Sequence, residues 1–436
     1  MNFSKYLFVL RKGFCSLIYS CKTDAVSAID NQLADLIESG QLDYLEQKHQ
    51  DFFAFLKREG FIVEDDVDEC DDIINAWKKE EQGPTLSIFI NPTMDCNLRC
   101  WYCYEKHVPK SMMQQDVIDS ILKLATREIT TKNIKWLSLS FFGGEPLLGL
   151  DAVIIPLLKA VSDLAQKNDV IVQVSLVTNG VLLTKKNVAR LQSLPAGKQL
   201  TCQVTLDGNE LFHDKTKCFS NGVGTYRKIL QNVKDALKSG VHITLRFNTT
   251  GENLLSYADV LDDLKDIPTE ERSLLAIDFQ HVWQDDDEGT MTYMDRQEKL
   301  RERFVDKGFT VNELKHIDNS RCYADRKSHY TINYNGDVFK CTAREFSSNN
   351  REGVLTTEGE VQWNAKNEKR EELKYGNDFC HQCNIFPICH GGCSQFKMET
   401  MAIGDCIRGY SPKDKEKIVN DRVDYIISNK IKNQSL

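Results

Sequence analysis

The chain has 436 residues, 27% of them charged and 41% hydrophobic, with a formal net charge of −9. That length accommodates two or three domains of about 150 residues around a large core, and that charge excludes the basic surface a nucleic-acid partner demands. No stretch approaches the ~18 apolar residues of a membrane helix, and Tyr6-Leu-Phe-Val-Leu10, halted by Arg11-Lys12, is too short for a secretory signal. With fifteen cysteines and no export signal apparent, the expected setting is a reducing cytoplasm in which thiols act as ligands.

In chain order, Phe3 to Leu10 and Phe14 to Tyr19 flank Arg11-Lys-Gly13 as a hairpin. Val26 to Ser39 and Tyr44 to Glu59 have helical spacing and stop at Gly40 and Gly60, and Phe61 to Val63 is a short strand. The acidic run Glu64 to Asp72 reads as a solvated linker. Residues 1–80 thus form a small N-terminal α+β domain of order ββααβ, winged-helix-like.

From 84 to 310, six strand-like runs lie near residues 85–91, 136–142, 171–177, 200–206, 242–248 and 274–282. They alternate with helical segments such as Asp116 to Glu128, Val153 to Gln166 and Tyr226 to Leu237. Repeated β-then-α units imply an α/β fold with a parallel sheet and outer helices, doubly wound or closed towards a barrel, with chemistry at the carboxyl ends of the strands. Lys413 to Ile431, inside 413–436, reads as an amphipathic C-terminal helix packed on the body.

Directly after the first strand, Cys96-Asn-Leu-Arg-Cys100-Trp-Tyr-Cys103 sets three thiols three and then two residues apart. A trio at specified spacing arises by chance in such a chain with an expectation of roughly 0.02. Three thiolates in one loop suit three irons of a [4Fe–4S] cube and leave the fourth open. Zinc instead closes with four ligands in paired knuckles, and the nearest histidine is His107.

Here the chain resembles the radical S-adenosylmethionine (SAM) enzymes, whose C-x₃-C-x-Φ-C signature is matched by Cys96, Cys100, aromatic Tyr102 and Cys103. The resemblance extends to the turn Gly143-Gly144-Glu145-Pro146, to Thr178-Asn179-Gly180, to Asp207-Gly208, and to the strand carrying Arg246 and Asn248. It implies that Tyr102, Gly143, Gly144, Glu145, Pro146, Thr178, Asn179, Asp207, Arg246 and Asn248 hold SAM, and that the sheet is an open, partial (β/α)6 barrel. His213-Asp214, Gly222, Gly224 and Tyr226 are similar to the HD…G-x-G-[ST]-[FY] stretch of the branch that modifies peptides and proteins.

Residues 311–412 carry a second cysteine system: Cys322, Cys341, Cys380-x₂-Cys383-x₅-Cys389-x₃-Cys393 and Cys406. This resembles the seven-cysteine SPASM iron–sulfur extension, which implies two auxiliary [4Fe–4S] clusters, the outer on Cys380, Cys383, Cys389 and Cys406 and the inner on Cys322, Cys341 and Cys393. Seven ligands leave one iron open or held by a residue such as Asp325, Ser328 or His329, and the open site is the expected one. A zinc ribbon is the plainer alternative, but seven interleaved cysteines exceed one tetrahedral site.

The resemblance implies a cytoplasmic peptide maturase that uses a 5′-deoxyadenosyl radical to cross-link side chains of a ribosomally made precursor peptide, fed by a low-potential donor such as ferredoxin or flavodoxin. Its N-terminal domain would bind a leader peptide by strand addition or serve as a lid. Sulfatase-maturating enzymes are the nearest alternative, but they carry an aspartate after the second extension cysteine where this chain has Thr342. Epimerisation would need a thiol hydrogen donor, for which Cys202 and Cys218 are placed; both read more simply as structural. A metal-binding scaffold without turnover is the non-enzyme alternative. Asp278, Gln280 and His281 end the sixth strand and either touch substrate or close the barrel.

Overall fold

The computed structural model describes residues 1–285, 291–312, 321–400 and 405–434, and the chain divides into two compact units.

The first unit comprises Met1–Gln82, Leu314–Arg326 and Glu368–Leu436. It begins with β1 (Asn2–Phe3), β2 (Leu7–Lys12), β3 (Cys15–Ser20) and β4 (Val26–Ile29), continues through helices Asn31–Glu38, Leu42–Lys48 and Gln50–Arg58, and reaches β5 (Ile62–Val63). β2, β3 and β4 form an antiparallel sheet in that order, and β1 pairs with β5. Alternation along the strands sends Val9, Ile18 and Ile29 into a core with Leu45, Phe53 and Leu56. The opposite face sends Phe8, Leu10 and Tyr19 against Trp77, Phe386, Val419 and Val423. This second core joins the sheet to helix Glu69–Glu80, to the cysteine-rich segment and to the C-terminal helix Pro412–Gln434.

Four local readings of this region are corrected. The hairpin turns one residue later, because Lys12 still pairs with Cys15 and Gly13 takes φ +76° at the tip. Val26 to Ile29 is a strand, and the following helix starts only at Asn31, where the Asp30 carboxylate accepts from the Leu33 N–H at 2.8 Å. The segment Tyr44 to Glu59 is two helices, broken by non-helical backbone at His49. The acidic run ends inside a helix: Asp68 accepts from the N–H groups of Cys70 and Asp71, and the acids that follow sit at the positive end of Glu69–Glu80.

The second unit comprises Gly83–Glu313 and Lys327–Asn367. Six parallel strands, β6 (Thr85–Ile90), β7 (Trp136–Phe141), β8 (Ile171–Thr178), β9 (Leu200–Leu206), β10 (His242–Thr249) and β11 (Leu275–His281), lie side by side in chain order. β12 (Thr310–Val311) extends one edge, while β13 (His329–Ile332), parallel to β6, leads into antiparallel β14 (Asp337–Phe339), β15 (Gly353–Leu355) and β16 (Val361–Trp363) at the other. This is the expected α/β, open six-stranded arrangement.

Period-two alternation gives the six strands two chemically different faces. Ile88, Leu139, Val174, Cys202, Leu245 and Ile277 are buried in the core beneath helices such as Gln115–Thr131, Ile155–Asn168 and Tyr226–Lys238; each such side chain contributes about 1.5–3 kcal/mol. Most of the alternate positions on β7 to β11 are polar, among them Ser140, Ser175, Gln203, Thr205, Arg246, Asn248 and Asp278. That second face is where a solvated site can form, and Cys202, on the apolar face, is excluded from it.

Candidate functional site

The three signature cysteines lie on the irregular loop between β6 and helix Gln115–Thr131. The loop is pinned from below: Asp95 accepts from the N–H of Cys96 and of Lys110, each at 2.9 Å, and the N–H of Met94 donates to the Ser111 hydroxyl at 2.9 Å. The turn after β7 is laced to it, with Gly144 N–H donating to Thr93 C=O at 3.1 Å and Glu145 N–H to Asp95 C=O at 2.9 Å. A Cβ on Gly144 would stand 2.2 Å from the Asp95 carbonyl oxygen, so this approach requires glycine.

Glu145 is sealed from solvent and joins the next strand. Its carboxylate accepts from the Leu147 and Asn179 N–H groups at 3.0 and 2.9 Å and from the Thr178 hydroxyl at 2.8 Å, and burial pushes it up to about 7. Pro146 opens a 3-10 turn, Pro146–Gly149. Asn179 in turn donates to Asn97 of the cysteine loop at 2.7 Å. On the far side, Tyr102 O–H donates to Asp207 at the end of β9, and Asn248 Nδ2 donates to the same phenol at 2.9 Å while Asn248 Oδ1 accepts from Arg246 Nε at 3.0 Å. The loop and turns after four consecutive strands and the end of a fifth, β10, are thus held in one network.

A cavity of about 210 Å³ is lined by Tyr102, Cys103, Gly143, Thr205, Arg246 and Asn248 among others. A neighbouring one of about 290 Å³ is lined by Trp101, Tyr102, Asp207, Phe212, Asn248 and Asp285 among others. The residues fit the cluster and cofactor that the motifs imply. Burial raises all three thiols, Cys96 to about 12 and Cys100 to about 11, so they ionise only when a cationic centre takes the proton's place. Gly143 presents bare backbone to the cavity beside them.

Three features escaped the sequence. Lys217 is buried, 3.3 Å from Asp207 and 2.6 Å from the Thr205 hydroxyl. Glu105 lines the smaller cavity with its carboxyl buried and raised to about 8 by that burial. Tyr104 and Trp283 stack at 5.8 Å at the same cavity. None has a local signature, because each depends on chain segments that only the fold brings together. His281, which the sequence places at the end of the sixth strand, meets Asp285 at 3.0 Å. The His213-Asp214 stretch is a structural clip: Asp214 accepts from the Thr225 and Tyr226 N–H groups at 2.8 Å, and the buried His213, its basicity lowered by desolvation, bridges Asp207 N–H and Thr225.

In the first unit, Cys380, Cys383, Cys389 and Cys406 line one small cavity with Phe386 and Tyr410. This is the foursome expected to hold the outer cluster. Cys322 and Cys393 are in the same unit, whereas Cys341 follows β14 in the other. The residues considered as an extra inner ligand are engaged elsewhere. Asp325 accepts from the Ser394 hydroxyl and faces Arg370 at 3.6 Å, and the His329 ring nitrogens contact the Ser87 and Thr331 hydroxyls at 3.1 Å each. Ser328 is buried. Among the described residues, no three His, Cys, Asp or Glu side chains form a group for a single metal ion, and no helix is long and apolar enough to cross a membrane.

Residues 90–266 match the Radical SAM superfamily. A cysteine-type anaerobic sulfatase-maturating enzyme of Clostridium novyi is 28% identical over 159 residues, covering 34% of this chain and 40% of the relative. The chain spans about two fifths of the length of the curated relatives it matches. Among solved structures, anSMEcpe with bound AdoMet superposes with a TM-score of 0.56 at 19% identity, covering 79% of this chain and 100% of that one. Streptococcus suis SuiB bound to precursor peptide SuiA gives 0.52 at 15% identity, covering 94% and 100%. At these identities the superpositions speak for the fold.

Proposed function

We propose that this chain, a radical SAM enzyme whose domain occupies residues 90–266, is a maturase that oxidatively cross-links side chains of a ribosomally made peptide through a thioether or carbon–carbon bond. When bound, the cluster and SAM supply a 5′-deoxyadenosyl radical that removes a hydrogen atom from an unreactive C–H bond. The protein's part is to hold the cysteine loop against the Gly143-Gly144 turn, to line a cavity beside it, and to exclude bulk water.

The carrying observation is the second set of cysteines, a foursome gathered around one cavity. Abstraction alone needs one cluster; a second set suits removal of the electron left on the substrate, which is what an oxidative cross-link requires. Two auxiliary clusters, the inner one with an open iron, and a ferredoxin- or flavodoxin-like donor complete the reading. SuiB, which covers nearly all of this chain, was solved with a precursor peptide. The N-terminal sheet offers two outer strands, β2 and β4, to which an extended leader can add, since both of its faces are already packed. Cys202 is buried in the apolar core, so a thiol hydrogen donor for epimerisation is lacking at that position.

The test is anaerobic incubation of the reconstituted enzyme with SAM, dithionite and the peptide encoded beside its gene. A product lighter by two hydrogens supports the reading. Unchanged peptide mass during SAM turnover overturns it, and conversion of one Cys or Ser to formylglycine reassigns the chain to the sulfatase-maturating activity.

A further inference from the structure

Buried charge in the first unit does not balance among the side chains alone. Glu81 meets Arg321 at 2.8 Å and Lys374 at 2.7 Å, and Asp325 faces Arg370 at 3.6 Å. Both of these buried carboxylates are thereby matched. Lys397 is not: it sits on the helix Ser394–Thr400 directly after Cys393, is only 2% exposed, and forms no ion pair with a carboxylate among the described residues. Its Nζ donates to the Leu373 carbonyl at 2.9 Å, one bond for a group with three donors. A buried ammonium in that position is strongly unfavourable unless an anion answers it.

Gly391 marks where that anion belongs. It lines the small cavity together with Cys380, Cys383, Cys389 and Cys406, and its carbonyl oxygen stands 3.8 Å from Cys380 Sγ. A Cβ on Gly391 would lie 3.4 Å from Lys397 Nζ, so the ammonium reaches the wall of this cavity. Desolvation draws the basicity of Lys397 down, and the charges opposing that fall are those of Cys380, Asp325, Cys389 and Cys393. Three of the four are expected iron ligands. A [4Fe–4S] core on four thiolates carries two negative charges when oxidised and three when reduced, so a fixed cation beside it favours the reduced form. Lys415 at the same cavity is partly exposed and Arg408 near Cys389 is exposed, so water screens both.

We propose that the buried Lys397 ammonium sets the reduction potential of the outer cluster, raising it so that this cluster takes the electron a substrate radical gives up. The step is a one-electron reduction in which no bond to a cysteine breaks, and Lys397 answers the added negative charge. The assignment rests on the oxidative reading above, in which Cys380, Cys383, Cys389 and Cys406 hold a [4Fe–4S] cluster. The potential is measured without peptide, so the two fail separately.

The experiment is a redox titration of the full-length, reconstituted enzyme followed by electron paramagnetic resonance, comparing wild type with Lys397→Met, Lys397→Arg and Lys415→Met. The outer cluster's signal is the one that Cys406→Ser removes. For K397M the ratio of reduced to oxidised outer cluster at the wild-type midpoint should fall by about tenfold, a downward shift of about 59 mV. K397R, which keeps the charge, and K415M, whose charge is screened, should stay within about threefold. Loss of about four irons from K397M but not from K397R supports the proposal as well, since only K397M lacks the charge. A K397M ratio within about threefold of wild type at full iron content overturns it, as do equal shifts in K397M and K397R, a K415M shift as large as that of K397M, or iron loss from both Lys397 variants. If the K397M shift is found yet wild type turns over SAM and leaves its peptide unchanged, the oxidative reading alone falls.

Discussion

Tyr102 donates its phenolic hydrogen to Asp207, lying 2.9 Å from each carboxylate oxygen, and so ties the cysteine loop after β6 to the end of β9 across the mouth of the sheet. Asp207 also holds the Lys217 ammonium at 3.3 Å, and both charged side chains are only 3% exposed. The pair is therefore a buried ion pair with a phenol and a threonine hydroxyl satisfying its remaining valences.

Removing Asp207 leaves Lys217 charged and uncompensated in the interior. Asp207→Ala is expected to cost about 3–5 kcal/mol, whereas Tyr102→Phe, which deletes the hydrogen bond to the Asp207 carboxylate and the one accepted from Asn248, should cost about 1.5–3 kcal/mol. Denaturant unfolding of the two variants checks the order; equal effects would mean that Lys217 finds another partner.

The Gly144 approach can be tested without touching a ligand. Gly144→Ala places a Cβ 2.2 Å from the Asp95 carbonyl oxygen and 2.7 Å from its carbon, and both are backbone atoms that cannot swing away. The cysteine loop must shift, so iron per chain should fall by about four atoms and 5′-deoxyadenosine formation with dithionite should vanish. Full iron content in this variant would show that the loop binds its cluster without the turn.

Residues close in sequence explain why so much of this site was readable. The spacing of Cys96, Cys100 and Cys103 and the paired glycines at 143 and 144 are local demands, one of ligand geometry and one of backbone approach, and each leaves a local mark. The parallel strands were legible because buried and polar faces alternate over six to eight residues. Val26 to Ile29 was not: four residues are too few to separate a strand from the first turn of the helix that follows, and pairing with β3 decided it. Lys217 was illegible for a different reason, since a buried lysine acquires meaning only from the carboxylate and hydroxyl around it.

Glu145 gives a pH prediction whose sign follows from burial. Its carboxyl rises from 4.5 to about 7 on folding, so below about pH 4.5 both states hold the proton, and between pH 4.5 and about 7 the unfolded chain releases it first. The contribution of this group to stability therefore declines as pH rises through that window and is constant above it, by about 3 kcal/mol in all. Glu145→Gln removes this slope and also sets an amide nitrogen against the N–H donors of Leu147 or Asn179. Unfolding free energies at pH 5 and 7.5 should differ less in the variant than in wild type; an unchanged difference would mean that Glu145 is ionised in the folded protein.

The outer foursome makes a separable prediction. Cys406→Ser takes one wall from the cavity that Cys380, Cys383 and Cys389 share, and should remove about four irons while 5′-deoxyadenosine formation without peptide continues. Because those cysteines pack into the core that also holds Tyr19, Trp77 and Val423, the same variant should raise amide exchange in β2 to β4. Unaltered exchange there would show that the N-terminal sheet is stable without this cluster.

Asp325 distinguishes an iron ligand from a structural carboxylate. Its oxygen accepts from the Ser394 hydroxyl, next to Cys393, and stands 3.6 Å from Arg370, which is fully buried and also donates to Ser394 at 2.6 Å and to Gln395. A carboxylate committed to a buried guanidinium has little charge left for iron. Asp325→Asn keeps a hydrogen-bond acceptor near Ser394 but removes the charge facing Arg370, so it should destabilise the unit by about 3–5 kcal/mol while iron per chain stays the same at low temperature. A ligand role would reverse the pattern: iron would fall by about four atoms, and the electron paramagnetic resonance of the inner cluster would change, with the stability loss following metal loss. Only the first pattern is compatible with an inner iron whose fourth position is left open for substrate.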